Sequence, residues 1–537
     1  MRKYVGILFF ALALPAAAQD QEVLRAAMLL SGAGSEEEVD EGIVDILESR
    51  RGRPVRINSN NLRASAILSD YQVAVIRDYR ATSGDILSWE ELSLLEGFTK
   101  ADVDVLKPFL SLESSRLPGA ADTVRTKAQA LLRGTLTSAG GKVKVTGRSW
   151  RAGGALRCSG GYKKWDGTFF GEASFGNHRF VAGDYKIRFA EGIGLWTGFS
   201  MESLSTVDAF LKRAQGISPV WSFTSSGVQR GLAYEYSTRH WRAQAFGSFD
   251  RTFGARGEFL GKRFQAGFTA ASSPEVKWMV SADAKFNLKG AILTGEIAFR
   301  NGSLAGLSAF KVSLGEYFRL ALQGRIVPVK YSGKKNGEYA AAAGAEFRSR
   351  KVLASLTADA ALLPIPYTDP GRFQFRAYGR ALWNITDTWS FEGRITERYR
   401  NYEAPRTDLR GDLRFASGHW LSVLRLEGVN CKGWGALGYL EGGYKGETPR
   451  AGYSAYLRVT GFLVDNWAAR IYVYERDVPG TFSVPAYFGK GLNAAIVGNV
   501  KLRFKYIVIK TCIRAACTIK NGSKPAPVLN IQMILDI

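Results

Sequence analysis

Residues able to carry acid–base, nucleophilic or metal chemistry are scarce in this chain. Its 537 residues include three histidines, His178, His240 and His419, and four cysteines, Cys158, Cys431, Cys512 and Cys517. None of them forms a metal-ligand spacing, and no G-x-S-x-G elbow is present. Two of the histidines directly precede tryptophans at turns, in "RHW" and "GHW". Cys512 and Cys517 could bridge in an oxidising compartment, but two isolated strand residues is the preferred reading. The Gly-rich "AEGIGLW" (190–196) ends a strand without opening a helix, so it is read as strand-end packing rather than a phosphate loop. The expectation is a non-enzymatic protein with no catalytic residue, no metal and no cofactor.

Two constellations carry binding chemistry instead. The first is a pair of hairpin turns, "LSDY" with Ser69 and Asp70, and "GFTK" with Gly97, Phe98, Thr99 and Lys100. Hairpins that grip DNA use two glycines around an apolar residue, so that backbone N–H groups can approach a phosphate at a helix N-terminus. Here the second turn keeps one glycine, and the first has none and sets a carboxylate where the phosphate would dock. Residues 55–112 hold six basic and eight acidic side chains, whereas DNA affinity rests on phosphate neutralisation. DNA binding is therefore the disfavoured alternative to contact with a protein partner. Phe98 is expected to pack between helices with Leu92, Leu95, Val103 and Leu106.

The second constellation is a comb of arginines, Arg372, Arg376, Arg380, Arg394, Arg398, Arg400, Arg410 and Arg414, interleaved with Glu392, Asp408 and Asp412. Cross-strand ion pairs are the favoured reading, and a wall facing anions is the functional one.

The comb lies on strands. In "RFQFRAYGRALWNI", Phe373, Phe375, Ala377, Ala381 and Trp383 fall on one face, and Arg372, Gln374, Arg376 and Arg380 on the other. Alternation of this kind recurs from about residue 124 to the end, in strands of about 9–13 residues, the length of a tilted bilayer crossing. Trp241, Trp278, Trp389, Trp420 and Trp467 sit just past turns, as in an interfacial aromatic girdle. The last strand, "LNIQMILDI", sets Leu529, Ile531, Met533, Leu535 and Ile537 outward and Asn530, Gln532 and Asp536 inward. The fold class is mainly β: a large transmembrane antiparallel β-barrel over 124–537, with about 24 strands at about 17 residues each. A barrel so wide must be plugged, water-filled or traversed. One long connection, 200–227, carries a helical signal from Leu204 to Ala214 and could enter the pore or stay outside.

Ahead of the barrel, residues 1–18 read as a cleaved signal peptide, with Arg2 and Lys3, an apolar run and Ala16-x-Ala18. An acidic helical segment spans 19–54, with Ser35 as N-cap of a helix carrying Ile43, Ile46 and Leu47. A small all-α module follows at 55–112, then a linker at 113–123. The chain carries 72 Lys/Arg against 49 Asp/Glu, net +23; residues 1–119 carry 13 against 18, which leaves +28 for the rest. An acidic front end thus precedes a strongly basic body, which suits phosphate-rich partners or anionic solutes.

Residues 56–112 resemble the tandem helix–hairpin–helix module of ComEA-like competence proteins, through Ile57-Asn58-Ser59, Ile76, Tyr79, Arg80, Gly84, Glu90, Glu91, Leu92, Leu95 and Gly97. Joined to "VAGDYKIRFAEGIGLWTGF" and "GVQRGLAY", the whole chain resembles the helix–hairpin–helix domain-containing outer-membrane proteins of Bacteroidota. The resemblance implies architecture and location, an outer-membrane barrel with a periplasmic helical domain; the leading reading is that this domain docks a protein partner or gates the pore. The alternatives to that reading are a DNA-uptake component and a channel for anionic solutes. Outer-membrane lipid and lipopolysaccharide are the expected surroundings.

Overall fold

The computed structural model of the protein describes residues 19–39, 41–50, 54–59, 62–63, 65, 67–113, 126–198, 203–332, 337–365 and 371–537. The expected signal peptide and nearly all of the expected linker lie outside these residues.

From Lys127 to Asp536 the chain winds 24 antiparallel strands into a closed barrel. Sequence neighbours are spatial neighbours, and the ring closes where Ala526–Asp536 pairs with Lys127–Thr135, from Asn530↔Thr135 to Asp536↔Gln129. Closure gives every wall strand a partner on both sides, the condition for a β-structure to stand in hydrocarbon. The alternation in the sequence becomes two chemically distinct faces. Along Ala451–Val464, residues Ala455, Leu457, Val459 and Leu463 are exposed, while Ser454, Tyr456, Arg458, Thr460 and Phe462 are buried toward the lumen. Leu232, Ile297, Leu356, Leu426 and Leu492 are likewise exposed on the outside. An apolar exterior of this extent fits lipid rather than water. Trp241, Trp389 and Trp420 each open a strand, and all five girdle tryptophans are exposed.

The two mouths differ. At the end where the first strand begins, the turns between wall strands are two to four residues long. At the opposite end, the described residues of two long connections, 189–198 with 203–228 and 465–488, turn back into the lumen. The helix expected at 204–214 is reduced to one 3-10 turn, Val207–Phe210, and a short strand, Gly216–Pro219, that pairs with the end of His178–Arg188. The wall imposes this: Asp208 is held by Lys311 and Arg319, and Gln323 Nε2 donates to the Phe210 carbonyl at 2.6 Å. All four cysteines are free, and Cys512 and Cys517 stand five apart on one strand, hence on opposite faces.

The front end folds as one helical unit. Helices α1 (Gln19–Ser31), α2 (Glu41–Arg50), α3 (Asp70–Ser83), α4 (Trp89–Ser93) and α5 (Lys100–Leu106) share a single core containing Leu30, Leu47, Ile57, Ile76, Leu92 and Phe109. The helix expected to start at Ser35 does not form as one piece. Ser35 makes no side-chain cap, Glu36–Glu38 make a 3-10 turn, Val39 is extended, and α2 starts at Glu41. The three glutamates are claimed by the barrel, which breaks the helix at its own acidic first turn.

In the hairpin module, each helix opens with a complete capping box: Ser69 with Gln72, Ser88 with Glu91, and Thr99 with Asp102. The module is closed by a parallel pairing of Val55–Arg56 with Leu110–Ser111. Buried Asn58 stitches it further, donating to the carbonyls of Ile86 and Leu112 and accepting from Ile86 N–H. Phe98 is buried with Leu92, Val103 and Leu106, and Leu95 is partly buried against them. Gly97 has φ +81°, and a Cβ there would lie 2.8 Å from the Tyr71 ring. In the full chain, Gly97→Val should cost the module about 2–4 kcal/mol through left-handed strain and overpacking. Lys100→Glu, at an exposed site, should stay within about 0.5 kcal/mol. Protease sensitivity of the module against temperature reads both.

Candidate functional site

The lumen is the place where charges and cavities converge, and the helical unit sits in it. Glu37 accepts from Arg410 and Arg425 Nη1 at 3.2 Å, and from the Tyr474 backbone N–H at 3.2 Å. Glu36 lies 3.3 Å from Arg425, 3.5 Å from Arg410 and 3.9 Å from Arg414. Asp412 stands behind the same arginines, 2.9 Å from Arg410 Nε, and also bonds Arg425. Arg425 is only 1% exposed, and its charge is met by these carboxylates and by the face of Tyr439 at 5.1 Å. Burial alone would push the Glu37 carboxyl up; Arg410 and Arg394 outweigh it and hold it below the usual carboxylate range.

Glu38 faces the infolded connection rather than the wall. It accepts from Ser203 at 2.8 Å and Ser205 at 2.6 Å, while Ser205 accepts from Gly34 N–H at 3.1 Å and Thr206 donates to the Gly32 carbonyl at 2.6 Å. The connection is itself anchored outward, because Asp208 binds Lys311 and Arg319 at 3.0 Å. Those two cations hold the Asp208 carboxyl well below its ordinary range despite its burial. A second carboxylate device fixes the "AEGIGLW" loop. Glu296 of the wall accepts the backbone N–H groups of Glu191, Ile193 and Gly194 at 2.9–3.0 Å. Three backbone donors of the loop thus converge on one carboxylate. The second long connection follows the same rule, with Asp477 accepting from Asn530 and lying 3.4 Å from Arg514.

The hairpin module meets the rim of the short-turn mouth. Asp70 makes a two-pronged pair with Arg242 at 2.9 and 3.0 Å. Asp78 meets Arg239 at 3.1 Å, Glu96 meets Lys262 at 3.4 Å, and Arg63 meets Glu235 at 3.3 Å. Arg213 of the infolded connection donates to the Ile67 carbonyl and Gln72 at 2.8 Å. The predicted turn residues therefore divide. Ser69 and Thr99 cap their own helices, Asp70 is taken by the wall, Phe98 is core, and Gly97, Thr99 and Lys100 are exposed. The helix N-termini that would receive a phosphate carry their own caps.

The arginine comb also divides. Arg380 and Arg394 share Glu392 at 2.7 Å, and Arg410 and Arg414 reach Glu36 and Asp412. Arg400 pairs with Glu403 at 2.9 Å and Arg398 lies 3.9 Å from it. Arg372 stacks over Tyr402 at 4.4 Å. Arg376 is half-buried, with its Nε unbonded among the described residues. Part of the comb is thus neutralised by the wall's own acids and part by the front domain's. Sequence reading missed Glu36, Glu37, Glu38, Asp208, Glu296 and Arg425. The run "SEEE" at 35–38 and the opposite charges of the two halves were the available signals.

No protein-family model matches the chain, and no curated protein matches it. Solved structures with related architecture include the P pilus usher (PapC) translocation pore, at 8% identity over 77% of this chain and 98% of that one, TM-score 0.35. Another is the ferric preacinetobactin receptor BauA of Acinetobacter baumannii, at 9% identity over 77% and 80%, TM-score 0.39. A third is the siderophore receptor PirA from Pseudomonas aeruginosa, at 11% over 77% and 80%, TM-score 0.37. At these values the likenesses carry no argument about ligand or partner.

The lowered Glu37 value sets a direction in pH. A carboxylate depressed in the docked state contributes fully above the ordinary carboxylate range, and loses that contribution as pH falls through the depressed value. Spin labels at Ser93 and Lys262 should give a narrow distance distribution at neutral pH that broadens on acidification below the carboxylate range. Glu37→Gln leaves buried arginines short of a partner, a loss of about 3–5 kcal/mol. It should broaden the distribution already at neutral pH and flatten its pH dependence.

Proposed function

We propose that the protein is a non-enzymatic outer-membrane β-barrel whose acidic helical domain gates the lumen from the periplasmic side. The observation that carries this reading is the insertion of Glu36 and Glu37 among Arg410, Arg414 and Arg425 of the wall. A domain held mainly by ion pairs at the rim and in a solvent-reachable lumen can leave without exposing a large dry interface, because water rehydrates both sets of charges. Departure of the domain uncovers an arginine-rich wall, so the solutes favoured in the open state are anions. Turn length supports the periplasmic side: short turns lie at the periplasmic face of such barrels and long connections outside, and the helical domain sits at the short-turn mouth.

Docking of a periplasmic protein is a second reading with its own support. Leu87 and Leu94, which flank α4, are 80% and 85% exposed, higher than any outward leucine of the barrel. A partner that covers them would have a handle on the gate. DNA uptake is the weakest of the three, since the capped helix N-termini and the Asp70–Arg242 pair leave no phosphate seat in the hairpins.

Planar-bilayer recording tests the gating proposal. The intact chain should be mostly closed, and Glu36→Lys with Glu37→Lys, or removal of residues 19–112, should give large, anion-preferring openings. Silence in all three forms would sink the proposal.

A further inference from the structure

On the side of the lumen away from the arginine comb, a cavity of about 1470 Å³ lies between the helical domain and the wall strands from Lys127–Thr135 round to Trp241–Ser248. Its lining runs from one mouth to the other. At the short-turn end are Arg148, Ser149 and Gly176, and at the opposite end Ser226 and Gly227, all five of them exposed. Spread across a hydrocarbon core of about 30 Å, that volume gives a mean cross-section of about 50 Å². Such a width takes a small hydrated solute and excludes a folded chain.

Two opposed sets of contacts keep the gap from closing. The helical domain is drawn toward the comb, where Glu36 and Glu37 meet Arg410 and Arg425. On the far side the infolded connection is fastened to the wall. Gly216–Pro219 pairs with Tyr185–Arg188, and the Trp221 indole N–H donates to the carbonyls of Val143 and Gly154 at 3.2 Å. The Thr168 hydroxyl donates to the Ser222 carbonyl at 2.7 Å and accepts from its N–H at 2.9 Å, and the Ser225 hydroxyl donates to Asp166 at 2.6 Å. Neither surface can move into the space without giving up these bonds. The domain reaches across only at one flank of the short-turn mouth, through the Arg63–Glu235 and Asp70–Arg242 pairs.

The lining between the two ends suits water, with Ser174, Ser218, Ser222 and Thr224 along it. It also carries charges of both signs, Arg179 being shared by Glu172 and Glu235 and Arg242 held by Asp70. Width is therefore the property that selects. We infer that this gap is a standing passage for small hydrophilic solutes, selected by size, that stays open while the helical domain is docked. It goes beyond the gating proposal, which concerns the larger opening left when the domain departs.

Swelling of proteoliposomes carrying the intact chain at neutral pH tests it, with folded, inserted protein measured by gel mobility of unheated samples. A pentose should enter and a tetrasaccharide should not. Ser218→Cys, between the two ends of the lining, should lose pentose entry by about fivefold or more once a bulky water-soluble thiol reagent is attached, and regain it on reduction. Ser390→Cys, on the comb side and outside the lining, should be unaffected by the same treatment. The parent chain treated alike corrects for its own four cysteines. Exclusion of the pentose by the inserted intact chain would overturn the inference and leave the gating proposal standing. A Ser218→Cys thiol that the reagent never reaches would also overturn it, as would equal block at Ser390→Cys. So would entry of the tetrasaccharide, which would mark an undocked lumen.

Discussion

Glu36 and Glu37 face Arg410, Arg414 and Arg425 inside the barrel, and the seat of the helical domain in the lumen depends on that contact. A ring of 24 strands encloses more space than its own side chains can fill. An acidic domain fills part of it, and the opposite charges of the chain's two halves are the means. Buried ion pairs add little net stability, because desolvation consumes most of the attraction, but they penalise wrong placements heavily. The charges therefore define where the domain sits more than how tightly it is held. An interface of that kind suits a part that must return to one position.

The infolded connections apply the same device at smaller scale. Asp208, Glu296 and Asp477 each anchor one loop to the wall through a carboxylate with two or more donors. Two of them also support something further in: Asp208 steadies the segment that grips Gly32 and Gly34, and the connection bearing Asp477 and Tyr474 adds a backbone donor to Glu37. The lumen is thus built in layers, wall to loop to helical domain, with carboxylates at each junction. The hairpin module has been fitted into this scheme. Its caps are complete, and the aspartate of its first turn serves the wall.

Much of the architecture was legible in the residues. Period-two alternation gave the strands, tryptophans after turns gave the girdle, and the outward and inward sets of the last strand fall as expected, with Gln532 buried and Met533 exposed. The hairpin core around Phe98 was also readable, because apolar spacing and caps are local signals. What was hidden was long-range. No pattern near Glu36 reveals that its partners lie almost 400 residues away at Arg410 and Arg425, and those partners broke the helix that Ser35 seemed to start. The helical signal at 204–214 failed for the same reason, since Asp208 and Phe210 are held by wall residues from strands a hundred residues on. The arginine comb was found, but two of the carboxylates that meet it, Glu36 and Glu37, belong to another domain.

The central claim, that the acidic front end occupies the lumen, can be tested by covalent capture in cells. A Cβ at Gly34 would lie 3.0 Å from the Ser205 Cβ, so the two positions come within the ~3.5–4.5 Å of bridged cysteines once the loop eases outward by about half an ångström or more. In a chain carrying Gly34→Cys and Ser205→Cys, mild oxidation of intact cells should form the bridge in most molecules, seen as a thiol-sensitive mobility shift. Neither single variant should show it. A pair that stays reduced in folded, membrane-inserted protein would contradict the account, because it would put residues 19–39 elsewhere.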